Sequence, residues 1–410
     1  MRYENKNLNA LARIMGTIED PRGEQGKQHK LLHIFILAIY GALWGHTDFT
    51  NMAKELKYKE DYFTELLGLE NGIPSHDTFS AVFSIINPEE FLECFISWIT
   101  FITRTKGGHV ALDGKAVRAA CDKIHRGKVP YLVNAYLAGA GLCIGQIRID
   151  EKTNEIKGIP EMIKWLDLEG ATVTIDAIGC QKEIVHLLLE KGADFVLPVK
   201  ENQPNLHQDI LLEMERIKKE KAEEEERFKK SREGGYRIET PLANVFSSYE
   251  EIGRDHSRIE HRKYYVYHAP ECIDPKEWEH VESLGMIIRE RQEIHKDEEG
   301  NILEEEATKE VSTYIMSRKM EAEEFACIAR GHWGVEGFHW VLDDCFREDR
   351  CTTRKGHAME NYALMRKIVY DLMKLDENVK KESMKGKQVY YRNNLEAIQK
   401  LIFEEIPSKY

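Results

Sequence analysis

The sequence predicts a mixed α/β protein: a central sheet with flanking helices, an N-terminal helical domain, and a β-rich insertion ahead of the last helices. Three observations lead there. Apolar residues keep helical spacing through roughly the first hundred residues. Past Gly107-Gly108 the texture changes to short apolar runs in the order strand, strand, strand, helix, strand, helix, strand, which is a mixed-sheet layout. Helical periodicity then returns near Glu321 after a second set of strand-like runs. At 410 residues the chain exceeds what one compact core usually organises, so two or three domains are expected.

In the first segment, Leu31, Ile34, Phe35, Ala38, Ile39, Ala42 and Leu43 hold helical spacing, and Phe49, Met52, Ala53 and Leu56 repeat it after Gly45-His46-Thr47-Asp48. A loop at Ile73-Pro74-Ser75 enters another helix, with Ser75 or Asp77 as its cap. Asn87-Pro88-Glu89-Glu90 starts the next, through Phe91, Phe95 and Trp98. Such a domain serves DNA binding or assembly, and periodicity does not choose. Strands are then predicted over 109–112, 131–138 and 142–149, the last two joined by a turn at Gly139-Ala140-Gly141. Pro160 opens a helix through Leu166, 171–175 is a strand, 181–191 a helix stopped by Gly192, and 195–199 a strand. Residues 213–233 carry dense mixed charge and read as an exposed helix with salt-bridged sides. Strands follow at 264–267, 284–288 and 312–316, with an acidic loop (Asp297, Glu298, Glu299, Glu304, Glu305, Glu306) between the last two. A helix spans 358–373, and the rest is a charged tail with a short helix around 395–403. The expected domains are therefore 1–105, 106–205, 206–320, 321–376 and a tail at 377–410.

Composition narrows the function. Hydrophobic content of 42% suffices for a sizeable core, and charged residues reach 31%. A net charge of −13 is awkward for a nucleic-acid binder, which usually shows a basic footprint, but acid confined to one loop weakens that objection. Eight cysteines without a C-x-x-C pair argue against a zinc ribbon or a thioredoxin-like site. Met1 to Lys6 is polar and no signal peptide follows. The run Leu31–Trp44 is too short to span a bilayer. A cytoplasmic protein with reduced thiols is expected, nucleoid-associated when DNA-bound.

The stretch Gly331–Arg354 concentrates the chemistry. On a helix, His332, Glu336, His339 and Asp343 fall at i, i+4, i+7 and i+11 along one narrow face. Val335, Phe338, Leu342 and Cys345 form an apolar stripe beside it. A stripe this polar between apolar flanks must meet something polar inside the fold, or else face solvent with a fortuitous Glu. Gly331, Gly334 and Gly337 each cost such a helix about 1 kcal/mol against Ala, or mark close packing. Glu336 is a candidate metal ligand or general base. Asp113 closes the first predicted strand and Asp176 the fourth. A lone Asp at a strand end is usually a turn-former. Two on one sheet with a Glu on a later helix make a stronger set, since three carboxylates suit Mg²⁺ and two such ions about 4 Å apart clamp both oxygens of a phosphodiester displacement.

These residues carry a family resemblance. The order Asp, Asp, Glu on strand, strand and helix is similar to that of the RNase H-like nucleotidyl transferases. More narrowly, the chain resembles insertion-sequence DDE transposases of the H-repeat-associated branch. The segments that carry the likeness are Gly72-Ile73-Pro74-Ser75-His76-Asp77-Thr78-Phe79, Val110-Ala111-Leu112-Asp113-Gly114-Lys115, Lys152-Thr153-Asn154-Glu155-Ile156, Thr174-Ile175-Asp176-Ala177 with Cys180-Gln181-Lys182, Lys200-Glu201-Asn202-Gln203, and His332-Trp333-Gly334-Val335-Glu336 through Asp343. The resemblance implies an RNase H-like mixed sheet, Asp113, Asp176 and Glu336 as the catalytic and metal-binding triad, and a β-rich insertion before Glu336. It implies Mg²⁺, with Mn²⁺ as a substitute, cleavage at transposon ends, attack of the freed 3′-hydroxyl on target DNA, and a homodimer in the synaptic complex.

The related signature places Arg four residues before the Glu and Lys seven after it; here those places hold His332 and Asp343. His332 either donates to a DNA phosphate or packs and orients Glu336. Lys115, Lys200 and Gln203, with the basic cluster Arg330, Arg347, Arg350, Arg354 and Lys355, are the expected DNA contacts. Trp333 and Trp340 are read chiefly as core packing, with stacking on a flipped base as the alternative. Three other functions compete: a residual transposase that binds DNA without cutting, a metal-dependent nuclease without strand transfer, and a di-iron bundle built on Glu336-x-x-His339. The di-iron class needs a second such pair on a late helix, which the sequence lacks.

Overall fold

A computed structural model describes residues 9–103, 107–118, 129–149, 155–233, 241–255, 258–268, 270–296, 302–304 and 308–404. The predicted boundary at Thr105-Lys106, the segment Lys152-Thr153-Asn154 and most of the acidic loop (297–301 and 305–307) lie outside these residues. The chain forms two compact units, one of residues 1–108, 112–167 and 334–410, the other of 109–111 and 168–333.

The first unit opens with six helices: α1 (Ala10–Met15), α2 (Leu31–Leu43), α3 (Phe49–Lys57), α4 (Glu60–Leu67), α5 (His76–Ile85) and α6 (Pro88–Thr103). Their starts are written in the sequence as side chains that accept from orphan backbone N–H groups. Asn9 accepts from Ala12 N, Asp48 from Asn51 N, and Ser75, rather than Asp77, from Thr78 N. α4 stops at Gly68, whose φ of 67° suits glycine. α2 is apolar nearly all round because it is buried nearly all round. Its neighbours include α11 (Ala358–Leu375), a helix from the far end of the chain. Tyr362 of α11 packs against Phe49 and Phe83, at centroid separations of 4.8 and 5.7 Å. Asn361 of α11 donates to the carbonyls of Phe83 and Ile86, at 3.0 and 2.9 Å. The N-terminal helices thus share one core with α11. In the charged tail, the short helix expected around 395–403 is α13 (Leu395–Phe403), and α12 (Met384–Asn393) precedes it unforeseen, fastened by Tyr391 donating to Asp376 at 2.7 Å.

The same unit holds a sheet in the order β3 (Leu142–Ile149), β2 (Tyr131–Leu137), β1 (Gly108–Ala116). β2 and β3 are antiparallel with a bulge at Ala135/Tyr136. α7 (Glu155–Trp165) packs on β2 and β3. Pro160 sits inside α7 rather than opening it.

In the second unit, residues His109–Ala111 of β1 begin the order β1, β4 (Ala171–Ile175), β5 (Asp194–Val199), β10 (Thr308–Met316), β8 (Ser283–Lys296), β7 (Arg258–His268), β6 (Phe246–Asp255), with β9 (Ile302–Glu304) paired to β8. β4 and β5 run parallel, linked through α8 (Lys182–Glu190). Strand order 3-2-1 in one unit and 1-4-5 in the other matches the RNase H-like expectation. The β-rich insertion begins with α9 (Pro204–Glu233), whose Arg216–Glu220 and Lys230–Glu226 pairs lie at i,i+4 spacing. The insertion continues the central sheet, because β10 pairs antiparallel with β5, Thr313 opposite Val199. α10 (Ala322–Asp344) starts over this sheet. Its Phe325 is fully buried among Tyr264, Ile287 and Met316.

Gly285 on β8 leaves room for that ring. A Cβ there would stand 2.7 to 3.1 Å from Phe325 ring atoms. Gly285→Ala is expected to lower stability by about 1–3 kcal/mol, read as a denaturant midpoint shift, and Phe325→Leu in the same chain is expected to recover part of it.

Candidate active site

α10 carries the stripe His332, Glu336, His339, Asp343, and its apolar neighbours Val335, Phe338 and Leu342 are fully buried, as their spacing requires. The stripe runs through the glycines without a break. At Gly334 the reason is close packing, since an added Cβ would lie 3.1 Å from the Tyr136 ring of β2.

In the second unit one hydroxyl joins three segments. Thr174 Oγ1 of β4 lies 2.7 Å from His109 Nε2 of β1 and 2.9 Å from His332 Nδ1 of α10. A hydroxyl owns one proton, so Thr174 donates to one imidazole and accepts from the other. Burial, reinforced by the nearby His332, pulls the His109 imidazole down to about 4. Asp113 lies four residues beyond His109, Asp176 two beyond Thr174, and Glu336 one helical turn beyond His332. Asp176 follows β4 as expected and caps a 3-10 turn, Ala177–Gly179, by accepting from Ile178 N at 3.1 Å. The loop beyond is clamped: Asn202 donates to Ala177 O at 2.6 Å and Gln203 to Cys180 O at 3.1 Å. The Gln203 amide therefore holds this loop, and Lys200 stands exposed beside it in sequence.

In the first unit Asp113 stands inside β1, not at its end. Its Oδ2 is 3.3 Å from His339 Nδ1 of α10. Asn134 Nδ2 of β2 donates to His339 Nε2 at 3.0 Å, which leaves the ring proton on Nδ1, toward the carboxylate. Two residues along β1, Lys115 is 6% exposed. Its ammonium bonds to Asp343 and to Glu348 (3.1 Å), with Asp349 at 3.7 Å. Burial alone would lower the Lys115 pKa, but these carboxylates outweigh it and hold it above the ordinary value. Glu348 is fully buried and also accepts from Lys367 at 2.6 Å. The two ammonium groups overcome its desolvation and keep it ionised. Lys115, expected as a DNA contact, is therefore a buried internal cation and cannot reach a phosphate. The sequence signal for this was its partner: Asp343, at the signature's Lys place, receives a lysine instead of being one.

Glu336 differs from the rest of its stripe. His332, His339 and Asp343 each have a polar partner, while Glu336 is exposed and its carboxylate has none among the described residues. Also among the described residues, no three His, Cys, Asp or Glu side chains are arranged to hold a metal ion. Asp113 and Glu336 belong to the first unit and Asp176 to the second; each carboxylate offers only oxygen, the donor type a hard divalent cation takes. Of the expected DNA contacts, Arg330 is half-exposed and paired to Glu251 at 2.8 Å, and Arg347, Arg350 and Arg354 are exposed. Trp333 stacks against the guanidiniums of Arg289 and Arg262, 4.6 and 5.5 Å from its ring centre. Trp340 is 64% exposed, so the core-packing reading fails there.

The His109 shift sets a pH dependence. The folded imidazole takes a proton near pH 4 and the unfolded one near 6.5. Stability is therefore flat above about pH 6.5 and falls as pH drops from there toward 4, by on the order of 2–3 kcal/mol from this group. His109→Gln keeps a hydrogen-bonding group at the Nε2 position without titrating, and denaturant unfolding across this range should show a smaller fall.

Comparison with known proteins gives the family. A family model described as "Transposase DDE domain" matches residues 104–372, and one described as "DDE_Tnp_1-associated" matches 12–99. The "H repeat-associated putative transposase YhhI" of Escherichia coli (strain K12) is 33% identical over 378 residues, covering 90% of this chain and 92% of that protein. The "Putative transposase YncI" of Escherichia coli O157:H7 is 32% identical over 387 residues, covering 91% and 90%. Among solved structures, a piggyBac transposase synaptic complex with hairpin DNA aligns over 97% of this chain and 82% of that one, at 12% identity and a TM-score of 0.41, too distant to carry detail across. A chain matched this far by the domain model and by relatives over nearly their full length belongs to the DDE transposases, in the H-repeat-associated branch.

Proposed function

We propose that Asp113, Asp176 and Glu336 are the metal-holding carboxylates of this transposase, taking Mg²⁺ or Mn²⁺, and that its DNA substrates are the ends of its own element and a target duplex. The observation that carries this is the unpartnered Glu336, on a helix face where His332, His339 and Asp343 are all engaged. The family is generally dependent on divalent metal. A bound pair of such ions would polarise the scissile phosphodiester and lower the pKa of an attacking water.

The chain's own residues then have separable tasks. His339, its tautomer set by Asn134, orients Asp113. The 3-10 turn orients Asp176. Thr174 fixes the α10 register through His332, which favours the orienting role for that histidine over phosphate contact. Lys200, Arg330, Arg350 and Arg354 supply positive charge for the DNA backbone. Water attacks phosphorus at the transposon end and the 3′ oxygen leaves. That 3′-hydroxyl next attacks phosphorus in target DNA, displacing a target 3′ oxygen. Both steps are displacements at phosphorus and both use the same three carboxylates. Pairing two ends calls for two copies, so the working complex is a homodimer at least, acting on DNA in the cytoplasm. Among the described residues no helix is long and apolar enough to cross a membrane.

The test is a strand-transfer assay on DNA carrying the element's terminal repeats. Asp113→Asn, Asp176→Asn and Glu336→Gln should each reduce both cleavage and joining by about 10³-fold or more, with unfolding midpoints near wild type for Glu336→Gln, whose side chain is exposed. Activity retained within about tenfold in any of the three would remove that residue from the set.

A further inference from the structure

The first unit also holds a groove that these carboxylates do not line. This groove of about 680 Å³ is walled by the C-terminal end of α2 and its following turn, by α3, by the segment after α10, and by α12. It is lined by five Lys or Arg side chains against three carboxylates, in a chain whose net charge is −13. All three acids are engaged. Asp48 caps α3, Asp344 pairs with Lys385 at 2.7 Å, and Glu55 lies 2.6 Å from His46 and 3.6 Å from Arg392.

Two cations in this lining stand without an ion pair among the described residues. Lys54 has none. The exposed Arg347 has none either, and its backbone sits at φ 50°, ψ 39°, the left-handed region that favours glycine. The surrounding fold holds an arginine in a place that suits glycine, with no carboxylate on its guanidinium among the described residues. Two cations, with the local acids already committed, call for an acceptor-rich anion.

We propose that this groove seats the phosphate backbone of duplex DNA, as a contact separate from the carboxylate triad. The proposal rests on the transposase reading for its ligand: in a protein that works on DNA, the abundant anion with this chemistry is the duplex backbone. Lys54 and Arg347 each neutralise one phosphate.

The experiment uses the full chain and a short labelled duplex, with affinity followed by fluorescence anisotropy across a range of salt concentrations. Arg347→Gly removes the guanidinium where glycine relaxes the backbone, so the fold is kept. Combined with Lys54→Ala it should weaken duplex binding about tenfold or more and lower the slope of log affinity against log salt by about 2. Lys229→Ala with Lys230→Ala, on α9, should change little. Unchanged affinity and slope in the Lys54/Arg347 variant overturns the proposal. So does displacement of the duplex by millimolar inorganic phosphate in the wild type, which would make this a free-anion site. Metal-dependent nicking of plasmid by the wild type is scored in parallel. Duplex binding that depends on these residues without nicking would sink the transposition chemistry and keep the groove, whereas nicking with unaltered binding in the variants sinks only the groove.

Discussion

One hydroxyl group shared by two imidazoles constrains much of this molecule. Thr174 can serve His109 and His332 together only while it donates to one and accepts from the other. The ring that accepts from Thr174 must then present a bare nitrogen to it, while the other presents an N–H; burial, with His332 nearby, lowers the His109 pKa. The link fixes a strand, its neighbour and a long helix at one level. Each then runs on, within a few residues, to Asp113, Asp176 or Glu336. The second anchor is ionic. Lys115 and Lys367 stabilise a buried Glu348, and Lys115 also takes Asp343. Removing one partner from such a cluster leaves an uncompensated charge in a dry place.

Much of this was legible in the sequence because α10 breaks the usual division of a helix into wet and dry faces. Polar residues at i, i+4, i+7 and i+11 flanked by Val335, Phe338 and Leu342 demand polar partners, and three of the four have them. What periodicity cannot reveal is which partners. Lys115 reads on paper as a cation free for phosphate, yet it lies in β1 with its side chain buried, and only tertiary pairing to Asp343 and Glu348 shows it. Asp113 looked like a strand terminus because Gly114 follows it; the strand continues through Ala116 since its burial alternates past the glycine. β6 went unread because Ser247, Ser248, Glu250 and Glu251 interrupt its apolar residues, while its stability comes from ladder pairing to β7. In the tail the helix around 395–403 was legible from Ile398, Leu401 and Ile402, which are buried, whereas charge density hid α12 and its buried Tyr391.

The acidic balance of the chain also resolves at the level of position. Cations on α9 are matched by neighbours one helical turn away, and the arginines of β7 and β8 converge on Glu260. Net charge averages over such internal pairings and says little about a surface. The exposed Arg347, Arg350 and Arg354 follow α10 directly, so a protein of net charge −13 still presents positive groups just beyond that helix.

The central claim is that three carboxylates far apart in sequence hold the same divalent ions. Anomalous scattering from crystals of the full chain grown with Mn²⁺ tests it most directly. The account predicts manganese peaks ligated by carboxylate oxygens of Asp113, Asp176 and Glu336 together. Manganese bound only at other side chains, with Asp113 still turned to His339 and Glu336 free of metal, would contradict it.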